Sequence, residues 1–299
     1  MKKSLIKWAS LAALATLVPT NLLMVGDLAS NHVQAATDLN FDQGSMNDEE
    51  YVRNILTQFN ELDGYQSEMV DDETGSSTVT VYDKASGGTK VTSFIAASEF
   101  NEEMTMTYYI YDDGTNVSDE LGYLDSSAIY MVEINPDYQA QVDEVRAQMG
   151  DALVLTPPAE GTESLATDNL FLAEEISFTE ITKDGDVVKA TIDAESYISD
   201  NPEMAELYPE GTQFSMVYTI DPAAGSVTSS LTIDVDEEAL ASESSDDELG
   251  VSIASLMVDT TVNVVMTATD EKVPAADELN TITQEEFQQL LTDVGLETY

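Results

Sequence analysis

The side chains able to do chemistry in this chain are narrow in type. His32 is the single histidine, Trp8 the single tryptophan, and none of the 299 residues is cysteine. A Ser-His-Asp triad would have to use His32, and a Cys-His pair or a thiolate zinc site is excluded. What the chain has in abundance is carboxylate, with 58 Asp and Glu against ten Lys and Arg. A pair of carboxylates can serve a glycosidase or an aspartic protease. The protease signature, a strand ending in Asp-Thr-Gly, is approached by Glu73-Thr74-Gly75 and Asp259-Thr260-Thr261 and matched by neither. With so many carboxylates, chance pairs are expected, and a pair alone carries little weight. No catalytic residue and no cofactor is assigned.

Acidic runs raise calcium as a ligand. Asp234-Val235-Asp236-Glu237-Glu238 and Asp246-Asp247-Glu248 are the densest. An EF-hand loop needs alternating acidic or amide positions with glycine at the sixth. The sixth position counted from Asp234 is Ala239. The run 236–249 therefore reads as a solvated acidic loop, and no metal ligand is assigned. The formal net charge of −48 opposes nucleic acid, anionic membrane surfaces and teichoic acids. It suits a protein kept soluble in an acidic or salty external medium.

His32 and Trp8 lie in a stretch that reads as a secretory leader. Lys2, Lys3 and Lys7 precede an apolar run from Trp8 to Val25, and Val33-Gln34-Ala35 or Gln34-Ala35-Ala36 supplies a cleavage pattern. Pro19, Asn21 and Asp27 interrupt the run short of the ~20 residues a membrane span needs. The expectation is cleavage near Ala35 or Ala36, a secreted chain from 37 to 299, and no stable membrane insertion afterwards. The leader is similar in length and style to those of Gram-positive secreted proteins. No cysteine follows it for lipidation, and no wall-anchoring signal closes the sequence. The mature chain would lack His, Trp and Cys. A missing Trp weakens a sugar-binding reading, although the 13 tyrosines substitute in part. Its stability must come from its core, without disulfides.

The elements that would position a site follow from periodicity. Asn47 and Glu50 have capping-box spacing, and Val52, Ile55, Leu56, Phe59 and Leu62 share a helical face, predicting a helix over 47–62 ended by Gly64. Period-two alternation predicts strands near 66–71, 77–83, 89–97, 104–110, 115–119 and 127–134, joined as an antiparallel meander. Asn135-Pro136-Asp137 opens a helix whose face is Tyr138, Val142, Val145 and Met149, with Gly150 as its C-terminal cap. The segment 155–169 reads as a linker. A hairpin over 178–194 turns about Asp184-Gly185, and a short helix begins at Asn201-Pro202. Strands follow over 214–220, 227–235 and 256–266, and a capped helix over 284–294 closes the chain. The fold class is α+β: a large antiparallel sheet, apolar on one face and rich in Thr, Ser, Asn and Asp on the other, packed on a few helices. The chain from 37 reads as one domain, with two similar halves joined near 155–169 as an alternative.

The alternation places Met104, Met106 and Tyr108 on one strand face and Phe214, Met216 and Tyr218 on another. Methionine and aromatic side chains suit a pliable apolar pocket, and they equally suit ordinary core packing. Tyr123 and Tyr130, with the run Tyr108-Tyr109-Ile110-Tyr111, offer an aromatic patch to a glycan or protein partner.

The order of elements resembles the LolA-like superfamily of bacterial lipoprotein and lipid carriers. The resembling parts are the helix at 47–62, the hairpin at 178–194, the paired strands at 213–236, and Val262-Asn263-Val264-Val265-Met266 leading to Lys272-Val273-Pro274. The resemblance implies an open half-barrel around helices, with acyl chains held in an apolar cavity under the sheet. The chain departs from many Gram-positive members in having no cysteine to acylate, and from the family in its acidity. The functional expectation is a secreted, non-enzymatic protein holding an apolar or amphipathic, lipid-like small molecule between sheet and helices near the cell envelope. The alternative is an adhesion module that meets an envelope protein through an exposed sheet face. A carboxylate-based hydrolase ranks third.

Overall fold

The computed structural model describes residues 39–71, 75–97, 103–158, 177–193, 213–234 and 260–296. The expected leader, the short helix at 201, the acidic loop 236–249 and the strand residues 256–259 lie outside them. Helix α1 spans Asp48–Asn60, followed by strands β1 (Gly64–Asp71), β2 (Ser76–Asp83), β3 (Gly88–Ile95), β4 (Met104–Tyr111) and β5 (Asn116–Ser118). Helices α2 (Glu120–Ile134) and α3 (Tyr138–Met149) lead to β6 (Leu153–Thr156). The hairpin β7 (Phe178–Asp184) and β8 (Val187–Ile192) precedes β9 (Gln213–Asp221), β10 (Ser226–Asp234) and β11 (Thr260–Ala268). A short β12 (Thr281–Thr283) runs directly into α4 (Gln284–Val294). Among the described residues, twelve strands form a large, mostly antiparallel, open sheet accompanied by four α-helices. The class is α+β, as the alternation predicts.

The chain divides into two compact units that exchange strands of sequence. One joins α1 to β7–β11, and the other joins β1–β6 and α2–α3 to β12 and α4. The first helix thus belongs with the later strands, and the last helix with the earlier ones.

In the unit of α1, Asn47 Oδ1 accepts from Glu50 N at 2.9 Å, while Glu50 Oε2 accepts from Asn47 N at 3.0 Å. This reciprocal cap starts the helix where the spacing predicts. Tyr51, Val52, Ile55, Leu56 and Phe59 form its buried face, which packs on β7 and β8. Arg53 lies over the Phe178 ring at 4.9 Å. The helix ends at Asn60 with Glu61 as its cap, earlier than the expected Gly64. Gly64 instead opens β1, at a point where a Cβ would come within 3.0 Å of the carbonyl oxygens of Thr269 and Tyr82. Only glycine fits that approach without displacing backbone.

In the other unit, β12-β6-β5-β4-β3-β2-β1 lie side by side, and β12 pairs with β6 in parallel. The expectation of a strand over 127–134 is overturned, because those residues complete helix α2. Asp119 Oδ1 accepts from Gly122 N at 3.1 Å and caps it. Leu121, Leu124 and Met131 then pack with Val142, Val145, Met149, Val154, Phe287 and Leu291 in one apolar cluster. Ile129, Val132 and Ile134 give the segment a strand-like composition, and the packing of α2 as a helix against α3 overrides that preference. Asn135, expected to cap α3, is the C-terminal cap of α2, and α3 starts after Asp137. The α3 face and its Gly150 cap, with φ of 66°, match the expectation. Leu155 and Thr156, read as the start of a linker, belong to β6.

A strap of residues 269–280 crosses back to β12 and is fixed at several points. Asp83 is buried; its Oδ1 accepts from Lys272 Nζ at 3.2 Å and its Oδ2 from Val273 N at 3.3 Å. Tyr111 Oη donates to Pro274 O at 2.7 Å, and Lys90 Nζ pairs with Glu271 at 3.0 Å.

Candidate functional site

The six expected site residues fall into two triplets, one in each unit. Phe214, Met216 and Tyr218 lie on β9 in the unit of α1, with Met216 and Tyr218 buried and Phe214 half-buried. Their neighbours explain the closure. Tyr218 stands opposite Ala190 of β8 and Ser229 of β10, and Met216 stands opposite Leu231. Small residues on both sides leave room for the tyrosine ring, and Val264 completes that row on β11. Met216 and Tyr218 are core residues, sealed from solvent.

Met104, Met106 and Tyr108 on β4 are different. Each is only half-buried, as is Ile110 beyond them. Register shows which sheet face they occupy. Tyr108 pairs with Ser118, Ser118 with Val154, and Val154 with Ile282. Val154 and Ile282 sit in the helix-packed cluster, so the methionines and Tyr108 share the face that α2, α3 and α4 cover. The covering is incomplete over β4. Met106 lies against the start of α2, where its Cγ would be 3.6 Å from a Cβ placed on Gly122. Having no side chain at Gly122 lets the start of α2 come close to both Asp119 and Met106.

Burial raises the Tyr108 hydroxyl to about 12, and the neighbouring Tyr123 hydroxyl contributes further. Tyr123 is 61% exposed, so an aromatic face is open to solvent at the edge of this apolar strip. Tyr123 was legible only as one of several tyrosines, because a strand expected at 127–134 hid the helix that carries it. Gly122 and Asp119 gave no sequence signal of a site at all. Deeper in β3, Thr78 and Ser93 hydroxyls lie 3.3 Å apart across β2 and β3 on the same face, next to Met106.

Carboxylates surround the strip. Glu103 is exposed beside Met104, Asp119 caps α2 through Gly122 N, and Glu120 Oε1 accepts from Ser118 Oγ at 2.8 Å. Arg146 of α3 is held by Asp125 and Asp143. Its hydrogen bond with Asp125 is the main reason its guanidinium is held above its ordinary value. Among the described residues no group of three or more Asp, Glu, His or Cys side chains could hold a metal ion, and no helix is long and apolar enough to cross a membrane. The acidic loop 236–249 lies outside the described residues.

No family model and no curated protein matches this chain.

Proposed function

We propose that this is a secreted, non-enzymatic binding protein that holds an apolar or amphipathic, lipid-like ligand between sheet and helices near the cell envelope. The observation that supports it most is the half-burial of Met104, Met106 and Tyr108 on the helix-covered face of β4. Large apolar side chains on a covered face normally close against one another. Here they stay half-buried as an apolar strip along β4, the kind of surface an acyl chain covers, and methionine adapts to such irregular contacts. The likeness to LolA-like carriers leads to the same use of the sheet.

Saturable binding of the neutral apolar probe N-phenyl-1-naphthylamine tests this reading. Binding should be lost in Met106→Asp with the circular-dichroism spectrum retained. Equal probe uptake by that variant would set the reading aside.

The adhesion alternative has one observation in its favour. On the exposed face of β10 and β11, Ser230 Oγ meets Asn263 Oδ1 at 2.7 Å, and Thr232 and Thr261 hydroxyls lie 3.1 Å apart. Such a hydroxyl ladder is a flat polar surface suited to a partner. Loss of cell-surface binding on Thr232→Lys, with probe binding intact, would select it.

A further inference from the structure

With no cysteine in the chain, no disulfide joins its distant parts. We propose that it forms a covalent tie of another kind, an isopeptide bond between the Lys183 amine and the Gln43 side-chain amide, made by the chain itself with Asp48 carrying the proton. Such a bond is independent of any ligand on β4.

Three side chains of the unit of α1 meet here. Lys183, on β7, donates from Nζ to Gln43 Oε1. Gln43 lies in the segment before α1, and its Nε2 donates to Asp48 Oδ1 at 2.8 Å and to Met46 O at 3.1 Å. Asp48 is the first residue of α1, and its Oδ1 is 4.0 Å from Lys183 Nζ. These partners fix which way round the amide stands. Reversed, its Nε2 would face the lysine, donor against donor, and its Oε1 would face a carboxylate and a carbonyl.

A plain ion pair would bring Lys183 and Asp48 together directly. Instead the Gln43 amide bridges them, with its carbonyl at the amine and its nitrogen at the carboxylate. That is the order a transamidation requires, and groups held in contact react at a high effective concentration. Lys183 gives one proton to Asp48, which the flexible lysine stem reaches by a small rotation. The neutral amine attacks Gln43 Cδ, forming the Nζ–Cδ bond as the carbonyl electron pair moves onto Oε1. Asp48 passes its proton to Nε2, the carbonyl reforms and the Cδ–Nε2 bond breaks. Ammonia departs and takes up the second Nζ proton as ammonium, which leaves a neutral amide and the Asp48 carboxylate as it began. No oxidant or cofactor is consumed. Lys183 and Asp48 are both partly exposed, so the ammonium has a way out to solvent.

The bond would fasten β7, the last strand in the sheet order among the described residues, to a position 140 residues away at the start of α1. A link that closes so long a loop restricts the unfolded chain, as a disulfide does.

Peptide mapping by tandem mass spectrometry tests this on the purified protein, sampled over time at mildly alkaline pH to supply the neutral amine. A branched peptide joining Gln43 to Lys183 is expected, with an intact mass lower by one ammonia. Lys183→Arg keeps a cation beside Gln43 and has no amine to react. It should retain the full mass and the circular-dichroism spectrum, with a lower thermal midpoint. Asp48→Asn should slow the appearance of the branched peptide by about a hundredfold. Recovery of Gln43 and Lys183 only in separate linear peptides, or an ammonia loss that mapping places at another position, would overturn the proposal. Equally fast linkage in Asp48→Asn would overturn the role given to Asp48.

Discussion

Lys272 Nζ lies 3.2 Å from Asp83 Oδ1, and Asp83 is buried at the end of β2 while the Lys272 side chain stays mostly exposed. The pair is unequal, and the two halves should respond unequally to mutation. The Asp83 side chain also accepts from Val273 N and Ala85 N, so it holds the strap as well as the lysine. Asp83→Ala should cost about 2–4 kcal/mol, because it strands backbone N–H groups as well as the charge. Lys272→Met should cost less, about 1 kcal/mol, since solvent screens that partner. Urea denaturation of the two variants gives the comparison, and equal costs would mean that the strap is held mainly elsewhere.

The row Ala190–Tyr218–Ser229 predicts intolerance of bulk in the unit of α1. Ala190 is fully buried next to the Tyr218 ring. Ala190→Leu should destabilise by about 1–3 kcal/mol through overpacking. Met106→Leu, on the half-buried strip, should change stability by less than about 1.5 kcal/mol, as volume-conserving swaps do. Thermal melts of both variants test whether the two strands differ as their burial indicates.

Phe287 lies in the helix cluster with Val142, Val145 and Leu291. Phe287→Ala should cost about 3–5 kcal/mol. Thr283→Ala removes only the reciprocal cap of α4 with Glu286 and should cost about 1 kcal/mol. Chemical denaturation separates the two, and similar losses would show that α4 is held by its cap more than by its core.

Tyrosine ionisation gives a pH test. Burial first, and neighbouring hydroxyls and carboxylates second, raise Tyr108 and Tyr111 to about 12 from an ordinary value near 10. For an acid whose folded value is raised, the folded state holds the proton more tightly. The stability these groups supply is full below pH ~10 and is lost as pH rises towards about 12. Absorbance titration at alkaline pH should show a late-ionising class in the native protein. Tyr108→Phe should remove part of it, and an unchanged late class would place Tyr108 in water.

Much of the architecture was readable in the sequence because local signals agreed with tertiary packing. The Asn47–Glu50 cap, the Tyr138/Val142/Val145/Met149 face and the Thr283 cap each name a helix that forms. Segment 127–134 was misread because Ile129, Val132 and Ile134 favour strands locally, while the Asp119 cap and the α3 contact lie outside the window in which alternation is judged. β6 and β12 are too short for periodicity, and their parallel pairing joins residues far apart in the chain. The site was half readable. Met104–Tyr108 and Phe214–Tyr218 show the same alternation, yet one triplet is half-buried and the other is mostly core. The difference lies in the cross-strand neighbours and in how far helices reach over each strand, which alternation does not encode.

The most direct test of the central claim is native mass spectrometry of the protein secreted from a Gram-positive host without detergent, before and after solvent extraction, alongside Met106→Asp. A lipid-like ligand on the β4 strip should appear as a mass excess that solvent removes and that Met106→Asp lacks. A bare polypeptide mass in both proteins, unchanged by extraction, would contradict the carrier reading and leave the exposed hydroxyl face of β10 and β11 as the surface to pursue.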